Sequence, residues 1–79
     1  MDIFFCGYLN KIVQADKITI EYLDNQSARE LKRFVCTQKN LDDNSLSDIW
    51  VIQSERLLYD DDMINPSEDI YLLSPILGG

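Results

Sequence analysis

Ser27-Ala28-Arg29-Glu30-Leu31-Lys32-Arg33-Phe34-Val35-Cys36-Thr37-Gln38 is the stretch on which the fold turns. Ser27 followed three residues later by Glu30 is a capping box, which satisfies free N–H groups at the start of a helix. At 100° per residue, Ala28, Leu31, Phe34 and Val35 fall within about 120° of one another, with Arg29, Glu30, Arg33 and Thr37 on the other side. The segment from Ala28 to about Gln38 is therefore an amphipathic helix, and its apolar face needs a sheet to cover.

The flanking sequence supplies that sheet. Upstream, Lys17-Ile18-Thr19-Ile20-Glu21-Tyr22 alternates strictly, with Ile18, Ile20 and Tyr22 on one face, and Asp24-Asn25 offers a turn. Ile3-Phe4-Phe5-Cys6 is a short continuous apolar run, the pattern of a central strand buried on both faces. Leu9 to Val13 reads as a short helix or an irregular link. Downstream, Leu41 to Ser47 is a polar loop with room for one helical turn. Ile49-Trp50-Val51-Ile52 and Leu57-Leu58-Tyr59 are strands, followed by turns at Asp60-Asp61-Asp62 and Asn65-Pro66-Ser67. Asp69-Ile70-Tyr71-Leu72-Leu73 is the last strand, ended by Pro75. The order predicts an α+β layer arrangement, a mixed sheet of four to five strands with one main helix across one face. A parallel pair of first and last strands at its centre would explain their apolar character. This order and length suit the β-grasp (ubiquitin-like) fold over residues 1–73, with 74–79 as a flexible tail.

Composition narrows the function. The 79 residues, 46% apolar, make one domain with an ordinary core and contain no run of about 18 apolar residues that would span a membrane. No basic leader with an apolar stretch opens the chain, so the expected compartment is the cytoplasm. There is no histidine, which removes the usual general base near neutral pH, and with two cysteines it also removes a zinc site. Cys6 and Cys36 are expected as reduced, mostly buried thiols. The net charge of −7 is uneven: residues 1–40 carry +1, whereas residues 41–79 carry nine acidic side chains against Arg56. Such a balance repels phosphate backbones and favours a basic protein partner or simple solubility. The acidic runs Asp60-Asp61-Asp62 and Asp42-Asp43-Asn44 lack the alternating ligands, glycine and terminal Glu of a calcium loop and read as solvated turns. Trp50 reads either as an exposed anchor for a partner or as core packing beside Ile49 or Val51.

The sequence closes on Ser74-Pro75-Ile76-Leu77-Gly78-Gly79. A diglycine end arises by chance in roughly 0.5% of chains. Glycine lacks Cβ, so a carboxylate carried on Gly78-Gly79 can enter an enclosed site that side chains would block. Pro75 stiffens the exit from the last strand and holds Ser74 extended. The six residues reach about 20 Å at roughly 3.3 Å each. Ile76 and Leu77 look like anchors for a groove on a partner, features that an idle frayed end would not need.

Two stretches carry a family resemblance. Ile3-Phe4-Phe5-Cys6-Gly7-Tyr8-Leu9-Asn10-Lys11-Ile12-Val13 and Ile70-Tyr71-Leu72-Leu73-Ser74-Pro75-Ile76-Leu77-Gly78-Gly79 resemble the opening strand and the diglycine tail of the small subunit of molybdopterin synthase (MoaD) and its sulfur-carrier relatives, including ThiS. The chain departs from that pattern where Ser74-Pro75 replaces a double proline, Ser67-Glu68-Asp69 a Gly-Asp turn, and Asn10-Lys11 an Arg-Glu pair. The resemblance implies a carrier rather than an enzyme. A ubiquitin-activating-type enzyme would use ATP to adenylate Gly79, and a sulfur donor would convert it to a thiocarboxylate for molybdopterin or a related cofactor. It implies Ser74, Pro75, Ile76, Leu77 and Gly78 as the partner-binding segment, no bound cofactor or metal, and the large synthase subunit as a further partner. Leu77 before the diglycine is also compatible with a ubiquitin-like modifier joined to lysines through Gly79. A third reading is a non-covalent interaction domain whose tail is idle.

Overall fold

The helix forms where its cap places it. In the computed structural model, which describes residues 1–21 and 26–74, Ser27 Oγ accepts from the Glu30 N–H at 3.2 Å and Glu30 Oε1 accepts from the Ser27 N–H at 2.9 Å. Both halves of the box are made, and α2 runs Ala28–Gln38. The remaining elements are β1 (Asp2–Cys6), α1 (Leu9–Val13), β2 (Lys17–Thr19), β3 (Trp50–Gln53), β4 (Arg56–Leu58) and β5 (Ile70–Leu73). The short α1 buries Leu9 and Val13. No helix among the described residues is long and apolar enough to cross a membrane.

These strands form one mixed sheet in the order β2-β1-β5-β3-β4. β1 and β5 are parallel, Ile3 opposite Ile70 through to Cys6 opposite Leu73. The other pairings are antiparallel. The expected pairing of first and last strands is therefore present, with β5 in the middle. Beyond β2 the backbone stays paired, Ile20 exchanging hydrogen bonds with Met1. Tyr22, Asp24 and Asn25 lie outside the described residues.

One face of the sheet carries the core. Ile3, Phe5, Ile70, Leu72, Val51 and Leu58 point to the side that also holds Ala28, Leu31, Val35 and Cys36 of α2, all 5% exposed or less. This corrects the expectation that β1 is buried on both faces. Its residues alternate, with Ile3 and Phe5 buried and Phe4 and Cys6 half-buried on the uncovered side. The apolar run reflects two different surfaces, one packed and one open. The core also takes Leu46 and Ile64 from stretches that read as polar loop and turn. On α2, Phe34 is only half-buried, while Lys32 is buried. Cys36 is fully buried and Cys6 half-buried; both are free thiols. Burial pushes both thiols above their ordinary range, so neither is an activated nucleophile.

The strand boundaries differ by one residue from the sequence reading for β3, β4 and β5. The cause for β3 and β4 is the tight link between them. Gln53 pairs with Arg56, leaving only Ser54 and Glu55 in the turn, with φ of 55° and 61°. Two successive left-handed residues define a type I′ hairpin, whose twist suits the strands but favours Asn-Gly. Glu55→Gly is therefore expected to stabilise the fold by about 0.5–1 kcal/mol, the relief of left-handed strain outweighing the added freedom of the unfolded chain. Chemical denaturation would read this as a higher midpoint; an unchanged or lower one would show the turn to be unstrained.

Candidate functional site

The last strand, β5, is held on both sides to its last residue. Leu73 lies opposite Cys6 of β1 and Trp50 of β3, and Ser74, half-buried, follows directly. Of the residues expected to meet a partner, Ser74 is thus placed directly after β5. Pro75, Ile76, Leu77, Gly78 and Gly79 lie outside the described residues. At the same end Gly7 takes φ +62° as the chain turns from β1 into α1. A Cβ there would meet Leu73 Cδ1 at an ordinary 3.9 Å, so glycine is required by the backbone conformation and not by space.

The uncovered face of the sheet begins at this end of β5. Register places Trp50, Leu73 and Cys6 in one row across it, and Leu57, Ile52, Tyr71, Phe4 and Lys17 in the next. The Phe4 and Tyr71 rings stack with centroids 5.0 Å apart and planes at 13°. Lys17 Nζ lies 5.8 Å from the Phe4 centroid and 3.5 Å from Asp2 Oδ2. Trp50 and Tyr71 are 44% and 45% exposed, which makes Trp50 a surface residue and not a core one. Tyr8 and Ile12, beside α1 and within it, are also exposed at the same end.

Polar groups close the face at its opposite end. Thr19 Oγ1 donates to Asp2 Oδ1 at 2.7 Å, and the Asp2 N–H donates to Asp69 Oδ1 at 2.9 Å. The Thr19 hydroxyl and the Lys17 charge hold the Asp2 carboxyl below its ordinary value.

An ion-paired groove that the sequence reading did not find lies beside Lys32 of α2. Lys32 Nζ donates to Asp60 Oδ1 at 3.0 Å and to the Ser47 carbonyl at 3.1 Å, beneath a groove bordered by Ile49, Trp50, Tyr59 and Asp61. Arg29 pairs with both Asp60 and Asp61. Part of the acidic turn thus binds α2 and is not merely solvated. The available signal was the position of Lys32, four residues from Ala28 and so about 40° from it, at the margin of the apolar arc.

Asp60, Asp2 and Glu30 all have carboxyls held below their ordinary values. The causes, largest first, are the Lys32 ammonium for Asp60, the Thr19 hydroxyl for Asp2 and the Ser27 backbone N–H for Glu30. A carboxyl with a lower pKa folded than unfolded contributes stability above its unfolded pKa and loses it as pH falls through the folded value. Stability should therefore be level above about pH 5 and decline below it. Asp60→Asn should flatten that decline in urea melts; an unaltered pH profile would remove Asp60 as a contributor.

Among the described residues no group of three or more Cys, Asp or Glu side chains could hold a metal. The sequence matches no protein-family model and no curated protein.

Proposed function

We propose that this chain is a β-grasp carrier protein whose working group is the Gly79 carboxylate. The observation that carries the reading is the combination of a diglycine tail with a root at the end of the central strand. β5 is clamped between β1 and β3, so the body presents whatever follows Ser74 from a fixed point. In the first step a carboxylate oxygen attacks the α-phosphate of ATP on a ubiquitin-activating-type enzyme, and pyrophosphate leaves. A sulfur donor then displaces AMP to give a thiocarboxylate, the species delivered to an acceptor such as the molybdopterin precursor on the large synthase subunit. The chain itself supplies position and a reactive end; it has no histidine to serve as a base.

Leu77 before the diglycine supports a second reading, in which a lysine amine displaces AMP and the chain becomes a protein modifier. Both share the adenylation step. Incubation with the host's activating enzyme, ATP and a sulfur source should raise the intact mass by the replacement of one oxygen by one sulfur. Deleting Gly79 should abolish the gain. An intact chain that forms no acyl-adenylate would sink the proposal, and conjugates stable to reduction would shift it to the modifier.

A further inference from the structure

We propose that two copies of this chain pair through the outer edge of β2, antiparallel about a two-fold axis at Thr19, so that their sheets join into one. The inference is independent of the carrier reading.

The sheet ends in β2 on one side and β4 on the other. The β4 edge is closed by its own chain. Arg56 and Leu58 face β3, which leaves Leu57 and Tyr59 to face outward. The Tyr59 N–H is taken by Asp62 Oδ2 at 2.8 Å, and at the other end Ser54 and Glu55 turn away with left-handed φ. Among the described residues β2 has no such closure. Ile20 exchanges hydrogen bonds with Met1, and the Phe5 N–H donates to the Asp16 carbonyl at 2.8 Å. Bonded and non-bonded pairs alternate in an antiparallel ladder, so between these two Ile18 bonds Ile3. The N–H and C=O groups of Lys17 and Thr19 therefore point away from the sheet, and such a row accepts a further strand.

Register selects the occupant. Outward-facing residues must meet outward-facing residues, which leaves few ways for two copies to pair. With Lys17 on the axis, two ammonium groups oppose each other. With Ile18 on the axis, Asp16 falls across from Ile20 of the second copy. With Thr19 on the axis, the two Thr19 residues exchange backbone hydrogen bonds, Ile18 meets Ile20 of the second copy, and Lys17 meets its Glu21. Symmetry makes each of the last two contacts twice. Ile18 and Ile20 share the helix side with Ile3 and are half-buried at the margin of the core, so the pairing extends their cover. Lys17 and Glu21 are exposed, and the chain bends at Glu21, so that residue contributes its carboxylate and not its backbone. The seam lies in the half of the chain whose charge is only +1, away from the acidic half whose self-repulsion would oppose association. Thr19 lies opposite Asp2, at the end of β1 away from Cys6 and Leu73, so Ser74 stays outside the seam.

An edge of this length makes a weak dimer, so the full chain is followed by sedimentation equilibrium from about 20 μM to 1 mM, where the dimer should appear. Thr19→Pro should abolish it, because proline removes the outward N–H without touching the bonds to β1. Lys17→Glu and Glu21→Lys should each raise the dimer dissociation constant about tenfold, and the two together should restore it to within about threefold. Tyr71→Ala, on the open face, should leave it unchanged. Thermal melts show which variants are folded; should Thr19→Pro not fold, the charge reversals decide the matter alone. A chain that is monomeric throughout this range would overturn the inference. So would a dimer indifferent to both charge reversals, or one that Tyr71→Ala dissolves.

Discussion

Leu72→Ala should destabilise the fold by about 3–5 kcal/mol, the largest effect expected of a single core change. Leu72 is fully buried in the central strand, with Phe5 in register on one side and Val51 on the other. Its neighbours are fixed by sheet hydrogen bonds on both flanks, so the space left by the lost carbons cannot collapse easily. A domain of this length has about 4–12 kcal/mol of stability in all, of which this loss is a large share. The melting temperature should fall by about 15–30 °C. A drop below about 1 kcal/mol would mean that the site repacks and that the β1-β5-β3 centre is not the rigid part of the core.

Gln53→Leu should cost about 2–4 kcal/mol although it makes a buried site more apolar. Gln53 is 4% exposed, and its amide is fully used. Nε2 donates to the carbonyls of Asn65 and Glu68 at 2.7 and 3.0 Å, and Oε1 accepts from the Asn65 N–H at 2.8 Å. Leucine of similar size leaves the Asn65 N–H and the Glu68 carbonyl without these partners, while the Asn65 carbonyl keeps only the Glu68 N–H at 3.3 Å. Each orphaned group costs about 1–3 kcal/mol, offset in part by the apolar gain and by water reaching the loop. Hydrogen exchange should quicken at Asn65, whose N–H loses its acceptor. A neutral or stabilising result would show that water replaces the amide without penalty.

The helix was legible in the sequence because capping box, periodicity and length agree at one place, and none of them depends on distant residues. The parallel β1–β5 pair was legible from apolar runs at both ends. Which faces those runs bury was not, because Phe4 and Tyr71 look as core-like in sequence as Phe5 and Leu72. Only the placement of a helix on one side separates them, and that is a property of the whole sheet. Leu46, Ile64 and Gln53 were missed for a related reason. Each sits where local sequence is polar or strand-like, and its burial is decided by partners more than ten residues away, such as Gln53 with Asn65. For the candidate site, residues 75–79 lie outside the described residues, and Trp50 was left between two roles until register set it on the surface. The open face itself had no signature beyond hydrophobicity.

The adjacency of β1 and β5 has a consequence for synthesis. The parallel partner of β1, β5, lies 67 positions further along the chain (Ile3 to Ile70), so Ile3 and Phe5 wait for Ile70 and Leu72 until that whole stretch has been made. During that interval an apolar N-terminal ribbon has only β2 beside it, and a nascent chain in this state is prone to stick to others. A chain that stops short of β5 lacks the strand between β1 and β3 and cannot close its core.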